Sequence, residues 1–415
     1  MSRPTLVESR WARTLLFPAL YFAQGVPWGF VSVGYVVMLT DLGLDDATIG
    51  GLLGLAYLPW SFKFVAGPVL DRIPMLRMGR RRPVVMLAEF VMGASLLGLL
   101  FVDPAHDVTL TSAILFVHNA CAALQDVAVD ALAVDVLPEE ERGRANSYMW
   151  AAKSGGIMVG GSFGTLVAGR FGWPAVFVML VLVLWAVLGV VVWILERPQE
   201  TVHDAPADHL SLAALRRAFG FPTPWLAVVV GLVSPVGYAI VATPFTTLTR
   251  GELGWSDEQI AMSAFVDPWV GIAGALVGGW LADRYGSRRA MATGLLAIAG
   301  LLAGFAGCAP AWQSFAFTLG FAAVLGFLTN LYGAASLGYF MSLCDPAVGA
   351  TQFSMYMATT NLTYAWTSAA GGWISDRYGH ATLFLFAGAI QVAAISSLLL
   401  ADPAVARARY AQASA

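Results

Sequence analysis

Gly279-Trp280-Leu281-Ala282-Asp283-Arg284, followed after Tyr285 by Gly286-Ser287-Arg288-Arg289, has a second copy earlier in the chain. That copy reads Gly67-Pro68-Val69-Leu70-Asp71-Arg72, followed by Gly79-Arg80-Arg81-Arg82. Asp71 and Asp283 lie 212 residues apart but Gly79 and Gly286 only 207, so the earlier loop carries an insertion around Ile73–Met78. Leu42-Gly43-Leu44-Asp45-Asp46-Ala47-Thr48-Ile49 likewise matches Leu253-Gly254-Trp255-Ser256-Asp257-Glu258-Gln259-Ile260 at an offset of 211. Gly169-Arg170-Phe171-Gly172 answers to Asp376-Arg377-Tyr378-Gly379 at 207. Self-similarity at one near-constant offset means two halves of like build.

What surrounds the repeated loops is apolar. Of 415 residues, 58% are apolar and 12% charged, with a mean hydropathy of +0.71. Soluble domains run at about 45–50% and about 25%, and disordered chains are more polar still. The chain reads as an integral membrane protein. Its net charge of −3 does not point to nucleic acid. Cys121, Cys308 and Cys344 are far apart in apolar stretches, neither a disulfide framework nor a metal pattern.

A helix needs about 20 apolar residues to cross the hydrocarbon. Twelve stretches qualify, near 14–39, 48–69, 83–102, 109–136, 147–169, 174–195, 225–248, 258–281, 290–309, 312–343, 350–374 and 381–401. The first runs on too far for a cleaved signal peptide. With both termini cytoplasmic, 18 of the 23 Lys and Arg fall on the inner side and three, Arg170, Arg250 and Arg377, on the outer, the bias that sets orientation. The longest polar stretch, 196–224, reads as a cytoplasmic linker between bundles at 1–195 and 225–415. The expected fold is an all-α membrane protein with twelve transmembrane helices in two pseudo-twofold-related six-helix bundles, such as carriers use when one bundle rocks against the other.

The repeated loop resembles the signature loop of the major facilitator superfamily. Two further segments are similar to the AmpG-type muropeptide permeases and their relatives in the peptide/acetyl-coenzyme A transporter family, which also contains siderophore permeases. They are Ser61 to Arg72, and Gln125-Asp126-Val127-Ala128-Val129-Asp130-Ala131 running into Asp135 to Gly143. The resemblance implies proton-driven uptake of a bulky solute across a bacterial inner membrane by a monomer that needs no cofactor or metal. Twelve spans are fewer than muropeptide permeases commonly have. Siderophore import remains open, as does, less favoured, export; the proline-bearing glycine motif of drug/proton antiporters is absent from the fifth span.

Charged groups inside a bilayer cost roughly 2.5–3.5 kcal/mol each on insertion scales, so they mark polar sites. Lys63, Glu89, Asp130 and Lys153 all fall one to two turns inside the cytoplasmic ends of their spans, with Asp126 one turn deeper. Asn119, Asp126 and Asp130 share one helical stripe, and two carboxylates one turn apart in a poorly solvated site do not both ionise easily. These five ionisable groups are the candidates for proton coupling, with Lys63 or Lys153 as the switching counter-charge. The competing reading is a set of fixed ion pairs between helices, for which Asp126, the deepest, is the least suited. Asp267, beside Pro268, either lines the cavity or caps a kink.

The resemblance places the first, fourth, seventh and tenth spans around a cavity, with Tyr21, Gln24, Trp28, His118, Asn119, Tyr238, Thr243, Asn330 and Tyr332 as candidate solute contacts. Asn361 and Tyr364 in the eleventh are weaker candidates. Aromatic faces with neutral hydrogen-bonders suit a bulky amphiphilic or sugar-bearing solute. The loop residues Asp71, Arg72, Arg80, Arg81, Asp283, Arg284 and Arg288 read as gate contacts or orientation signals. Gly156, Gly160 and Gly164 form a small-residue seam or hinge. Gly160-Gly161-Ser162-Phe163-Gly164 mimics a nucleophile elbow, but that motif needs a strand before it. An enzyme would need a converging nucleophile and base, and a channel a ring of pore helices; the sequence offers neither.

Overall fold

The computed structural model describes residues 3–66, 70, 78–103, 106–197, 216, 218–345 and 348–414. These are helical, joined by short turns, with one isolated bridge between Thr5 and Leu195. The helices are α1 (Arg10–Asp41), α2 (Asp46–Ser61), α3 (Arg82–Phe101), α4 (Val108–Val136), α5 (residues 139–171), α6 (Trp173–Trp193), α7 (Pro222–Glu252), α8 (Asp257–Tyr285), α9 (Ser287–Gly307), α10 (Phe315–Met341), α11 (Gly349–Tyr378), α12 (His380–Ile395) and α13 (Pro403–Ser414). Ser9 caps α1, and a capping box of Ser256 and Gln259 starts α8.

Nine helices among the described residues are long and apolar enough to cross a membrane. The described residues of the three remaining stretches read from the sequence lie mainly on α2, α5 and α11. They miss that measure because α2 is 16 residues long, α5 opens on Glu139, Glu140, Glu141 and Arg142, and α11 is rich in Thr, Ser and Tyr.

The repeat is visible in the backbone. Positive φ occurs, among the described residues, at six glycines that form three repeat-equivalent pairs: Gly43 and Gly254 (77° and 63°), Gly79 and Gly286 (104° and 87°), and Gly172 and Gly379 (80° and 79°). A side chain would strain each of these turns, so the turn chemistry was duplicated along with the helices.

Two compact units result, one of Met1–Leu42 and Leu58–Ala207, the other of Gly43–Tyr57 and Asp208–Ala415. Most of α2 packs with the second unit. Its glycines explain this. A Cβ at Gly50 would lie 2.2 Å from the Ser368 carbonyl oxygen, and one at Gly54 2.4 Å from that of Ala365, so α2 and α11 meet backbone to backbone. Of the expected linker, residues 198–215 and 217 lie outside the described residues.

In the first unit α1 and α5 meet in the same way. Gly25 and Gly29 face the carbonyls of Lys153 and Ile157, while Gly156 and Gly160 face those of Phe22 and Val26. Two of the three seam glycines read from the sequence sit in this contact; Gly164 lies beyond it, with its nearest neighbour at 3.7 Å. In the second unit Gly274 and Gly278 of α8 close onto the carbonyls of Phe327 and Leu331 in α10. Stacked rings of Phe305, Trp312 and Phe321, with Phe384 edge-on to them, lie in the core of this unit.

Where α3 begins, the buried Glu196 carboxylate accepts the backbone N–H groups of Arg80, Arg81 and Arg82 at 3.0, 3.0 and 3.1 Å. An acid there satisfies orphan donors and favours the helix N-terminus. Glu196→Ala is expected to destabilise the protein by about 2 kcal/mol, seen as a lower unfolding temperature in detergent; an unchanged temperature would show the cap to be idle.

Candidate functional site

The first unit gathers the sequence's ionisable residues at one place. Lys63, just past the end of α2, puts its ammonium 2.9 Å from Asp126 Oδ2, and Lys153 of α5 approaches Asp126 Oδ1 at 3.9 Å. Asp126 is buried and shared unequally between two cations. Lys153 sits over the rings of Tyr21, Trp60 and Trp150 at 5.4–5.6 Å, cation–π distances that help hold a charge away from water. One turn along α4, Asp130 accepts the Tyr21 hydroxyl at 2.5 Å. Asn119 at the other end of the stripe accepts the Trp60 indole N–H at 3.0 Å, and Trp28 meets Trp60 edge to face. The stripe read from spacing therefore faces α1, the α2 region and α5.

A second polar line leaves this centre toward α3. Lys153 donates to Gln24 Oε1 at 3.4 Å, Gln24 donates to Gln125 Oε1 at 2.6 Å, and Gln125 donates to Glu89 Oε1 at 2.7 Å. Glu89 is fully buried, and its other oxygen has no hydrogen-bond partner among the described residues. Depth in the sequence made Asp126 the least suited to a fixed ion pair and Glu89 better suited. The geometry is the reverse: Asp126 is paired, while Glu89 meets a neutral amide. Gln125 connects the two because it lies next to Asp126 on α4 and so turns to the neighbouring helix.

His118 is set apart from this group. It faces α3, where Nδ1 lies 3.1 Å from the Met92 carbonyl and 3.2 Å from the Ser95 hydroxyl. Gln125, Trp60 and Trp150 were not singled out from the sequence. Their signal was spacing: Trp60 and Trp150 each stand three residues before a lysine of the centre.

The second unit holds an aromatic and hydroxyl cluster. Tyr238 of α7 packs edge-on against Tyr332 and Tyr364, with centroids at 5.5 and 6.1 Å, and the Tyr332 and Ser234 hydroxyls are 2.6 Å apart. Thr243 donates to Ser368 at 3.3 Å. Asp267 and Asn330 flank the seam between α8 and α10: a Cβ at Gly326 would meet Asp267 Oδ1 at 2.3 Å, and Asn330 donates to the Gly326 carbonyl at 2.9 Å. The helix runs on through Pro268. Asn361 lies half-buried on α11, a turn before Tyr364.

Of the expected gate residues, Asp71 and Arg72 lie outside the described residues. Arg81 pairs with Asp135 at 3.1 Å, tying the start of α3 to the end of α4, and the Arg80 backbone joins the Glu196 cap. Asp283 and Arg284 are exposed at the end of α8, where the Arg284 guanidinium lies against Trp280 and Tyr285. Arg288 is half-buried at the start of α9.

The repeated loop, the duplicated turns and the buried charge centre meet a direct comparison here, for the Major Facilitator Superfamily model matches residues 19–363. The chain belongs to the Major Facilitator Superfamily. Within that superfamily it resembles AmpG-type permeases along nearly all its length. It is 28% identical over 408 residues to the anhydromuropeptide permease of Escherichia coli (strain K12), covering 94% of this chain and 79% of that one. It is 23% identical to the putative transporter AmpG 4 of Rickettsia conorii, covering 92% and 94%. Among solved structures it superposes on a D-xylose-proton symporter (TM-score 0.73, 15% identity, covering 95% and 99%) and on the nucleoside transporter NupG (TM-score 0.73, 13% identity, covering 93% and 98%), which shows the facilitator fold. This member of the superfamily is a multi-pass membrane transporter, not an enzyme.

Proposed function

We propose that the protein is a proton-coupled importer of a muropeptide-like conjugate, seated in a bacterial inner membrane with both termini in the cytoplasm. The observation that carries the reading is the unequal sharing of buried Asp126 between Lys63 and Lys153, with Asp130 one turn away. A fixed structural pair would need one cation. With two cations and two carboxylates at the site, a proton arriving on Asp126 frees Lys63 and Lys153 to turn to Asp130 or to an anionic group of the solute. Solute and proton then occupy the site together, and both leave when it opens to the other side. Tyr21, Trp28, Trp60 and Trp150 supply ring faces for a sugar-bearing solute in the first unit, as Tyr238, Tyr332 and Tyr364 do in the second.

The relative named above as an anhydromuropeptide permease supports the substrate class. The test is uptake of labelled anhydromuropeptide into proteoliposomes under an imposed proton gradient, with a ferric siderophore run in parallel. Saturable accumulation that a protonophore collapses is expected for the muropeptide. If Asp126→Asn and Asp130→Asn both still accumulate it against its gradient, the coupling roles are wrong; accumulation of the siderophore instead would replace the substrate class.

Glu89 yields a separate expectation. The partner of the buried Glu89 carboxyl is the neutral Gln125 amide rather than a cation. Glu89→Gln preserves that shape and is expected to change stability by less than about 1 kcal/mol, measured as the unfolding temperature in detergent. A large drop would show that an ionised carboxylate is required.

A further inference from the structure

The second unit contains an ionic cluster that the coupling centre does not use. His380, at the start of α12, is buried between two carboxylates on separate helices. Its Nδ1 lies 2.8 Å from Glu252 Oε1 at the end of α7, and its Nε2 lies 3.0 Å from Asp46 Oδ2 in the first turn of α2. A neutral imidazole has one N–H and an ionised carboxylate only accepts, so both contacts are satisfied together only by the imidazolium. The remaining groups around the ring fit that state. Thr247 of α7 places its hydroxyl 3.4 Å from Nε2, and Asp376 of α11 accepts the backbone N–H groups of Asp46 and Ala47 at 3.2 and 3.3 Å. Of the neighbouring cations, Arg250 pairs with Asp257 at 3.0 Å and Arg377 lies against Tyr378.

This cluster sits where α2 meets α11. Gly372 allows it: a Cβ there would come within 2.0 Å of the Asp46 carbonyl oxygen, so the first turn of α2 rests directly on α11 backbone. The segment it fastens, Gly43–Tyr57, packs in the second unit although the chain on both sides of it belongs to the first.

We infer that His380 is an ionic latch that holds the first turn of α2 on α7, α11 and α12, and that loosens when the ring gives up its second proton. With the imidazolium in place, one group bridges two helices through charge-assisted bonds. Without it, one of the two bonds is lost and two carboxylates face a neutral ring. In a carrier whose bundles rock, a contact of α2 with α11 that weakens as the ring deprotonates would make movement at this place depend on pH. Histidine is the side chain whose charge changes in the physiological range. The latch stands independently of the roles proposed for Asp126 and Asp130.

Hydrogen exchange of the purified full-length protein, read by mass spectrometry on peptides covering 43–57 and corrected for the intrinsic effect of pH, tests it. In the wild type, protection of this segment is expected to fall by about tenfold or more, the equivalent of one charge-assisted hydrogen bond, between about pH 6 and about pH 9, either side of the ordinary histidine titration. His380→Gln is expected to show the low protection at both values. Glu252→Gln, at an exposed carboxylate, is expected to lower protection at the acidic end. Asp126→Asn is expected to keep the wild-type pH response, since it lies outside the cluster, so a failed latch and a failed coupling centre give different results. Protection of 43–57 that does not change with pH in the wild type, or that changes equally in His380→Gln, would overturn the latch.

Discussion

Asp126→Asn is expected to reduce gradient-driven accumulation to simple equilibration while leaving exchange of solute across the membrane measurable. The carboxylate is the shared partner of Lys63 and Lys153 in a buried site. Removing one member of such a pair leaves an uncompensated charge and typically costs about 3–5 kcal/mol. Here two ammonium groups lose their partner together, and Asp130, engaged by Tyr21, is the remaining carboxylate near enough to answer them. A fall in unfolding temperature should accompany the loss of coupling. A double-mutant cycle separates the two effects: adding Lys63→Met to Asp126→Asn should recover much of the stability but none of the accumulation. Recovery of both would reduce the centre to a structural pair. Lys63→Met alone, which leaves Lys153 to neutralise Asp126, should be milder than Asp126→Asn.

The second large effect belongs to the seam between α1 and α5. A Cβ at Gly160 would stand 1.8 Å from the Val26 carbonyl oxygen and 2.9 Å from the Phe30 nitrogen, and the atoms in the way are backbone. No rotamer relieves such a contact; the helices would have to separate, and in a bilayer close packing of this kind is a main source of helix association. Gly160→Val is expected to exceed the 4–5 kcal/mol that marks exceptional substitutions and to leave little monodisperse protein after solubilisation. Gly164→Ala, whose nearest neighbour would be at 3.7 Å, and Gly155→Ala, with nothing within 4 Å, are the controls expected to behave as wild type. Equal yields from Gly160→Val and the controls would mean that the two helices do not approach as described.

The fold was legible because it is written twice. The loops at 67–82 and 279–289 and their flanking apolar stretches gave the two halves, and the paired glycine turns show how literally the repeat was kept. The seams were only half legible. Gly156 and Gly160 stood out by their four-residue spacing, whereas Gly25 and Gly29 across from them are an ordinary pair in an apolar run. In the site, the stripe of Asn119, Asp126 and Asp130 followed from helical periodicity, and its partners in the structure lie on α1, the α2 region and, for Lys153, α5. Which acid each lysine would choose did not follow. Depth along a span fixes height in the membrane, but the pairing depends on helix rotation and on side-chain reach, which spacing within one helix does not carry. The link from Gln24 through Gln125 to Glu89 crosses three helices, and the cluster of Asp46, Glu252 and His380 joins positions more than one hundred residues apart. Neither leaves a local pattern to read.

The centre's purpose is tested most directly by following protons while solute moves. Proteoliposomes holding a pH-sensitive dye, with equal pH on both sides and the membrane potential clamped, are given labelled solute from outside. The lumen of wild-type vesicles is expected to acidify in step with solute entry, and that of Asp126→Asn vesicles to stay level while solute equilibrates. Solute entry into wild-type vesicles with no lumenal pH change would contradict proton coupling at this site.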